Sequence, residues 1–158
     1  MAHIRRAVAT DADAVLRCLG EAFAPFQSDY TPTAFLDTVL SPTSIAQRFE
    51  EMTLLVAVAD DGAVLGTIAY ARRADGDGYI RGMAVLPRWQ GRGVAQQLLA
   101  SAERDMRELG CPRVHLDTTQ PLHRAVRFYE RNGYAPSGRV TDLFGMPLIE
   151  HVKVLARA

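Results

Sequence analysis

The chain has no apolar run near the ~18 residues that a membrane-crossing helix requires, and its first residues, Met1 to Ala9, lack the apolar stretch of a secretory leader. Cysteine is scarce. Cys18 and Cys111 stand alone, with neither CxxC nor Cys/His ligand spacing, and are predicted to be reduced thiols of a cytoplasmic protein rather than a disulfide. An excess of either charge is also missing. Lys+Arg number 18 and Asp+Glu 18, so nothing attracts nucleic acid or anionic lipid globally, and neither is expected as a partner. Lysine is nearly absent: Lys153 is the only one. No GxxxxGK[ST], GxSxG, HExxH or catalytic Cys–His pattern occurs. There is no repeat, low-complexity tract or polar linker to divide the chain. With 158 residues, 48% of them apolar, it is expected to form a single domain over 1–158.

What is present is a well-punctuated α/β pattern. Ile4 to Val8 reads as a short strand. Thr10, with Asp13 three residues on, forms a capping-box arrangement before a helix that puts Val15, Leu16, Leu19 and Phe23 on one stripe. Thr31-Pro32 and Ser41-Pro42 each place an N-cap before a first-turn proline, predicting two short helices between Thr31 and Phe49. Runs 53–59 and 64–71, joined by Asp60-Asp61-Gly62, read as a hairpin, and 79–86 as a third strand after the turn at 75–78. The longest helix is expected from Gly91 to Leu109, burying Val94, Leu98, Ala102, Met106 and Leu109 and stopping at Gly110. A strand at 114–118 follows this crossover and must pair parallel to a neighbour. A helix over 121–132 aligns Leu122, Ala125, Val126 and Tyr129, and strands near 134–140 and 148–155 end the chain. The order predicts an α/β (α+β) fold with a mixed, largely antiparallel sheet of six to seven strands flanked by helices.

The most informative segment runs from the third strand through Pro87-Arg88-Trp89 into Gln90-Gly91-Arg92-Gly93-Val94-Ala95. Glycine in the first turn of a helix costs up to ~1 kcal/mol relative to alanine, so two of them suggest that something approaches the backbone closely. The first N–H groups of a helix lack internal partners and sit at its positive end, which suits a diphosphate. Arg88 and Arg92 stand at the rim. The alternative is that Gly91 is a cap and Gly93 relieves crowding against the sheet. A dinucleotide fold is disfavoured, because Gln96 stands where a third glycine is needed.

Gln90-Gly91-Arg92-Gly93-Val94-Ala95 resembles the Q/R-x-x-G-x-G/A coenzyme A signature of the GNAT superfamily of N-acetyltransferases. Ile80 to Pro87 resembles that family's fourth strand, and Ala125-Val126-Arg127-Phe128-Tyr129-Glu130-Arg131-Asn132-Gly133-Tyr134 its A-x-x-x-Y-x-x-x-G-F/Y segment. The two motifs cover about residues 79–134, in the family's order with a strand between them. The resemblance implies a splay between the fourth and fifth strands, with acetyl-CoA as cosubstrate. Gln90, Gly91, Arg92, Gly93, Val94 and Ala95 would hold its diphosphate, and Met83, Ala84 and Val85 its pantetheine arm. It also implies that Tyr129 is the acid protonating the coenzyme thiolate, although Tyr129 equally fits the apolar stripe of its helix as a core residue.

The chain departs from the family in two respects. Tyr79 and Arg81 stand where many members carry a basic glutamate on the fourth strand, which leaves Asp117 or Glu21, each also readable as a solvated carboxylate, or a water-mediated route. Leu122 stands where the family often has asparagine. The acceptor is expected to be a small-molecule primary amine entering beside Phe23, Phe26 and Tyr30, with Phe144 from the last loop and Asp117 nearby; Phe23 and Phe26 fit a core plug equally well. A homodimer is an expectation by family analogy. His115, Asp117 and His123 invite a metal, but their spacing is not that of a zinc site, and no metal is expected. Two other readings stay open: a non-catalytic acyl-CoA sensor or interaction module of the same fold, and a nucleotide-binding domain.

Overall fold

The structure is a computed structural model that describes residues 2–155. Seven strands form one sheet in the order β1-β2-β3-β4-β5-β7-β6, where β1 is His3–Arg6, β2 Thr53–Val58, β3 Val64–Arg72, β4 Gly78–Val85, β5 Arg113–Thr118, β6 Ala135–Leu143 and β7 Met146–Val154. Every neighbouring pair is antiparallel except β4–β5. The helices are α1 (Ala12–Phe23), α2 (Pro32–Val39), α3 (Pro42–Glu51), α4 (Val94–Glu108) and α5 (His123–Arg131). Among the described residues no helix is long and apolar enough to cross a membrane.

Both faces of the central strands are covered, which is why β2 reads as an unbroken apolar run. Leu55 and Ala57 face the cluster that takes in Leu98, Ala102 and Met106 of α4, whereas Leu54, Val56 and Val58 pack with Val15 and Leu19 of α1 and Ile45 of α3. The sole lysine closes the α4 side: Lys153 Nζ donates to Glu103 at 2.9 Å, and Tyr134 Oη donates to the same carboxylate at 2.7 Å.

Several local readings are corrected. Thr10 is not the cap of α1. A 3-10 turn, Ala9–Asp11, precedes the helix, and the working side chain is Asp11. Its carboxylate accepts from Val8 N–H at 2.8 Å and from Arg5 at 2.8 and 3.0 Å. The predicted caps of α2 and α3 do form: Thr31 accepts from Ala34 N–H at 3.3 Å and Ser41 from Ser44 N–H at 3.2 Å. α4 begins three residues later than read, at Val94, and Leu109 is an exposed C-cap rather than part of the buried stripe. α5 likewise starts at His123, after Pro121.

The Arg5 bonds hold the Asp11 carboxyl below its usual range, against the opposing effect of burial. Such a group stabilises the fold above the unfolded value, ~3.9, and that contribution disappears as pH falls through the lower folded value. Asp11→Asn is therefore expected to lower the urea midpoint at pH 7. The gap to wild type should shrink steadily in urea titrations carried below about pH 3.

Candidate active site

The site is made by a defect in β4. Thr67 pairs with Ala84 but Ala69 pairs with Arg81, so Gly82 and Met83 together oppose the single residue Ile68. One extra residue reverses the in–out alternation beyond it. Ile80 and Val85 consequently face α4, while Ala84 faces α1 and α3. Gly82 carries the bulge with φ +62°, a left-handed conformation that costs other residues more. The bulge also turns β4 away from β5. Their parallel pairing is limited to Gly78–Val114, Tyr79–His115 and Ile80–Leu116, so from Arg81 onward the β4 edge facing β5 has no strand partner.

A cavity of about 710 Å³ occupies this splay and opens on both sheet faces. On the α4–α5 side it is lined by Gln90, Gly91, Gly93, Ala95 and Tyr129; on the α1–α3 side by Phe23, Phe26, Tyr30, Arg48, Tyr79 and Asp117. Met83, Ala84 and Val85 lie between. Of the residues that the resemblance assigns to the coenzyme, Arg92 and Val94 do not line it. Val94 is a core residue, and the Arg92 guanidinium stacks over the Trp89 ring at 5.1 Å.

The glycine loop differs from its sequence reading in an informative way. Gly91 and Gly93 precede the helix instead of lying in its first turn, with φ +77° and +83°. A Cβ added at either would meet nothing within 4 Å, so crowding against the sheet is not what selects glycine there. Left-handed backbone alternating along a short turn points successive N–H groups to one side. Among the described residues no backbone carbonyl accepts from the N–H groups of Gly91, Arg92, Gly93, Val94 or Ala95. Gln90 acts on the protein itself: its amide donates to Val85 O at 3.0 Å and ties the loop to the end of β4.

Tyr129 comes from α5 and is almost fully buried, and its hydroxyl makes no hydrogen bond among the described residues although the side chain lines the cavity. Burial pushes its phenol well above the ordinary tyrosine value. It packs edge-to-face on Phe128 and Tyr134.

On the opposite face, Asp117 accepts from Tyr79 Oη at 3.2 Å, and burial followed by the Asp117 charge raises the Tyr79 phenol. Glu21 is elsewhere, exposed on α1 and paired with Arg17 at 3.2 Å. Arg81 is held by Asp37 at 2.5 Å. Tyr30 is fixed by a 2.7 Å hydrogen bond to Thr119 and edge-to-face contacts with Phe23 and Phe35. Phe144 is exposed at the β6–β7 turn, and Leu143 and Leu148 line the cavity instead. His115 contacts other carboxylates than Asp117: its Nε2 lies 2.7 Å from Asp77 and its Nδ1 3.5 Å from Glu150, and among the described residues no group of three His, Cys, Asp or Glu is placed to hold a metal ion. Sequence reasoning missed Arg48. On its own helix it looks like one more polar-face arginine, and only tertiary structure buries it.

A family model described as the acetyltransferase (GNAT) family matches residues 15–134. The chain belongs to that family. It is similar to a mycothiol acetyltransferase of Nocardiopsis dassonvillei, 33% identical over 138 residues, which is 81% of this chain and 40% of that protein. This GNAT chain thus spans less than half of that relative. An aminoalkylphosphonate N-acetyltransferase of Salmonella typhimurium is 35% identical over 82 residues, 49% of this chain and 53% of that one. In fold, the PaiA N-acetyltransferase of Thermoplasma acidophilum, solved in complex with coenzyme A, superposes with a TM-score of 0.80 at 17% identity, over 98% of this chain and 99% of that one. The mixed seven-stranded sheet with its parallel β4–β5 pair is the GNAT fold.

Proposed function

We propose that this chain is a single-domain, cytoplasmic acetyltransferase that moves an acetyl group from acetyl-CoA to the primary amine of a small molecule by direct attack in a ternary complex. The observation that carries this reading is the single cavity joining the glycine loop on one sheet face to the aromatic cluster on the other through the β4–β5 splay. The N–H groups of Gly91 to Ala95, which no backbone carbonyl takes up among the described residues, suit the diphosphate, and the stretch at Met83, Ala84 and Val85, where β4 has no strand neighbour on the β5 side, suits an extended pantetheine arm that pairs like a strand. The names of the Salmonella relative and of the coenzyme A complex point the same way.

Acetyl-CoA supplies an activated thioester when bound. A backbone N–H of β4 near Met83 polarises the carbonyl, a contribution of ~2.7–4 kcal/mol for one well-aimed donor. The amine enters past Phe23, Phe26 and Tyr30, and Asp117, steadied by Tyr79, receives its proton. The N–C bond forms, the C–S bond breaks, and Tyr129 returns a proton to the sulfur, giving an amide and free coenzyme A. Arg92 acts through Trp89 on the loop's shape rather than inside the cavity. Val94 seats the start of α4 in the core.

Titration calorimetry with acetyl-CoA and coenzyme A, followed by amine-dependent thiol release, tests the reading. Binding together with thiol release is expected. Binding without release from any amine would favour an acyl-CoA sensor, and a folded protein that binds neither would end the proposal.

A further inference from the structure

Arg48 violates the rule that a buried charge is paired. Its residue is 8% exposed, yet its guanidinium makes no hydrogen bond and no ion pair within 4 Å among the described residues. It leaves α3 and reaches the cavity beside the bulge, close enough that a Cβ on Gly82 would stand 2.7 Å from Nη1. The carboxylate facing it most closely in electrostatic terms, Asp37, is already taken by Arg81 at 2.5 Å, and Glu51 contributes less. Burial first, and the like charge of Arg81 second, pull the Arg48 guanidinium down to about 10, which leaves it charged at neutral pH. Among the described residues, the acceptor half of the cavity therefore holds one cation without an ion-pair partner, Arg48, together with the Asp117 carboxylate, which is bonded only to a phenol.

We infer that Arg48 anchors an anionic group on the acceptor, so that the substrates of this site are small amines that also carry a carboxylate or a phosphonate. Five guanidinium donors in a planar fork match such groups, and a desolvated fork binds them best. The coenzyme phosphates are not the partner, because the glycine loop that suits them lies on the opposite face of the sheet. Gly82, which Arg48 overlies, is the chain neighbour of Met83 on the edge that suits the pantetheine arm, so the anion and the reacting amine belong a few bonds apart. Asp117, on the same sheet face, complements the amine end. The site thus suits a short zwitterion. This assignment rests on the acetyltransferase reading above.

The test compares thiol release from acetyl-CoA with glycine, 2-aminoethylphosphonate, glycinamide and ethanolamine, in wild type, Arg48→Met and Arg48→Lys. Wild type is expected to favour an anionic amine over its uncharged partner by about 10–100-fold in kcat/KM, and the glycine and phosphonate arms tell the two anions apart. Arg48→Met should erase that preference through KM, and Arg48→Lys should restore part of it. Acetyl-CoA affinity should be unchanged in both variants. Thermal melting gives a second readout that needs no turnover. The anionic amines should raise the wild-type Tm but not that of Arg48→Met, and ligand-free Arg48→Met should melt no lower than wild type, since it loses a buried charge that makes no ion pair. Equal use of charged and neutral amines, a preference that survives Arg48→Met, or a lower ligand-free Tm in that variant overturns the inference. Failure of acetyl-CoA to bind would instead overturn the underlying function.

Discussion

Gly93→Glu is expected to abolish measurable acetyl-CoA binding in a protein that still folds. Gly93 is the residue before α4, with φ +83° and open space around its missing Cβ. A Cβ there meets no protein atom within 4 Å, so the main structural cost is that of the left-handed backbone, about 1–2 kcal/mol. The damage to binding is larger, for two reasons. The carboxylate would stand beside N–H groups that no backbone carbonyl uses among the described residues, where it repels a diphosphate and competes for the same donors. Relaxing the turn to relieve φ would also turn those donors away. Each lost hydrogen bond to a charged group is worth ~1.5–3 kcal/mol, so two of them give a loss of about 100-fold or more. Gly93→Ala separates the causes: it carries the backbone penalty without the charge and should retain a weakened affinity. Calorimetry on the three proteins checks this, with circular dichroism to establish folding. Wild-type affinity in Gly93→Glu would mean that the loop does not hold the diphosphate.

The position of that glycine illustrates what was legible in the sequence. Punctuation was legible: the caps at Thr31 and Ser41, the hairpin at 60–62 and the stop at Gly110 follow from residue chemistry acting over a few positions, and each is in the structure. The motifs carried the family, and the parallel crossover followed from the length of α4. What sequence could not give depends on partners distant along the chain. The β4 bulge exists only in register against β3, so neither the splay nor the reversal of faces at Ala84 can be read from Gly82 alone. Gly91 and Gly93 looked like costs inside a helix, whereas they set the turn before it. Tyr30 and Thr119 meet across 89 residues. Arg48 was invisible because its lack of a partner is a property of the folded cavity, and Asp117 was separated from Glu21 only by which of them faces that cavity.

Tyr129→Phe should lower turnover by about 10²–10⁴-fold while leaving acetyl-CoA affinity nearly intact. Three observations set that expectation apart from the behaviour of a core tyrosine. The side chain lines the cavity from the coenzyme face, its hydroxyl has no hydrogen-bond partner among the described residues, and its ring is held edge-to-face between Phe128 and Tyr134. Removing the oxygen leaves those ring contacts in place and strands no buried donor, so stability should change little. The sign of the pH dependence follows from burial. A phenol raised above its ordinary value, ~10, stays protonated through the alkaline range, so wild-type turnover should show no loss from this group below about pH 10. Any fall at lower pH must come from another group. In Tyr129→Phe the thiolate leaves without a positioned proton donor, and the defect should persist at every pH at which the amine is neutral. Single-turnover measurements at saturating acetyl-CoA place the loss in the chemical step. Unchanged turnover across the pH range would remove Tyr129 from the mechanism and return it to the core that its helix stripe describes.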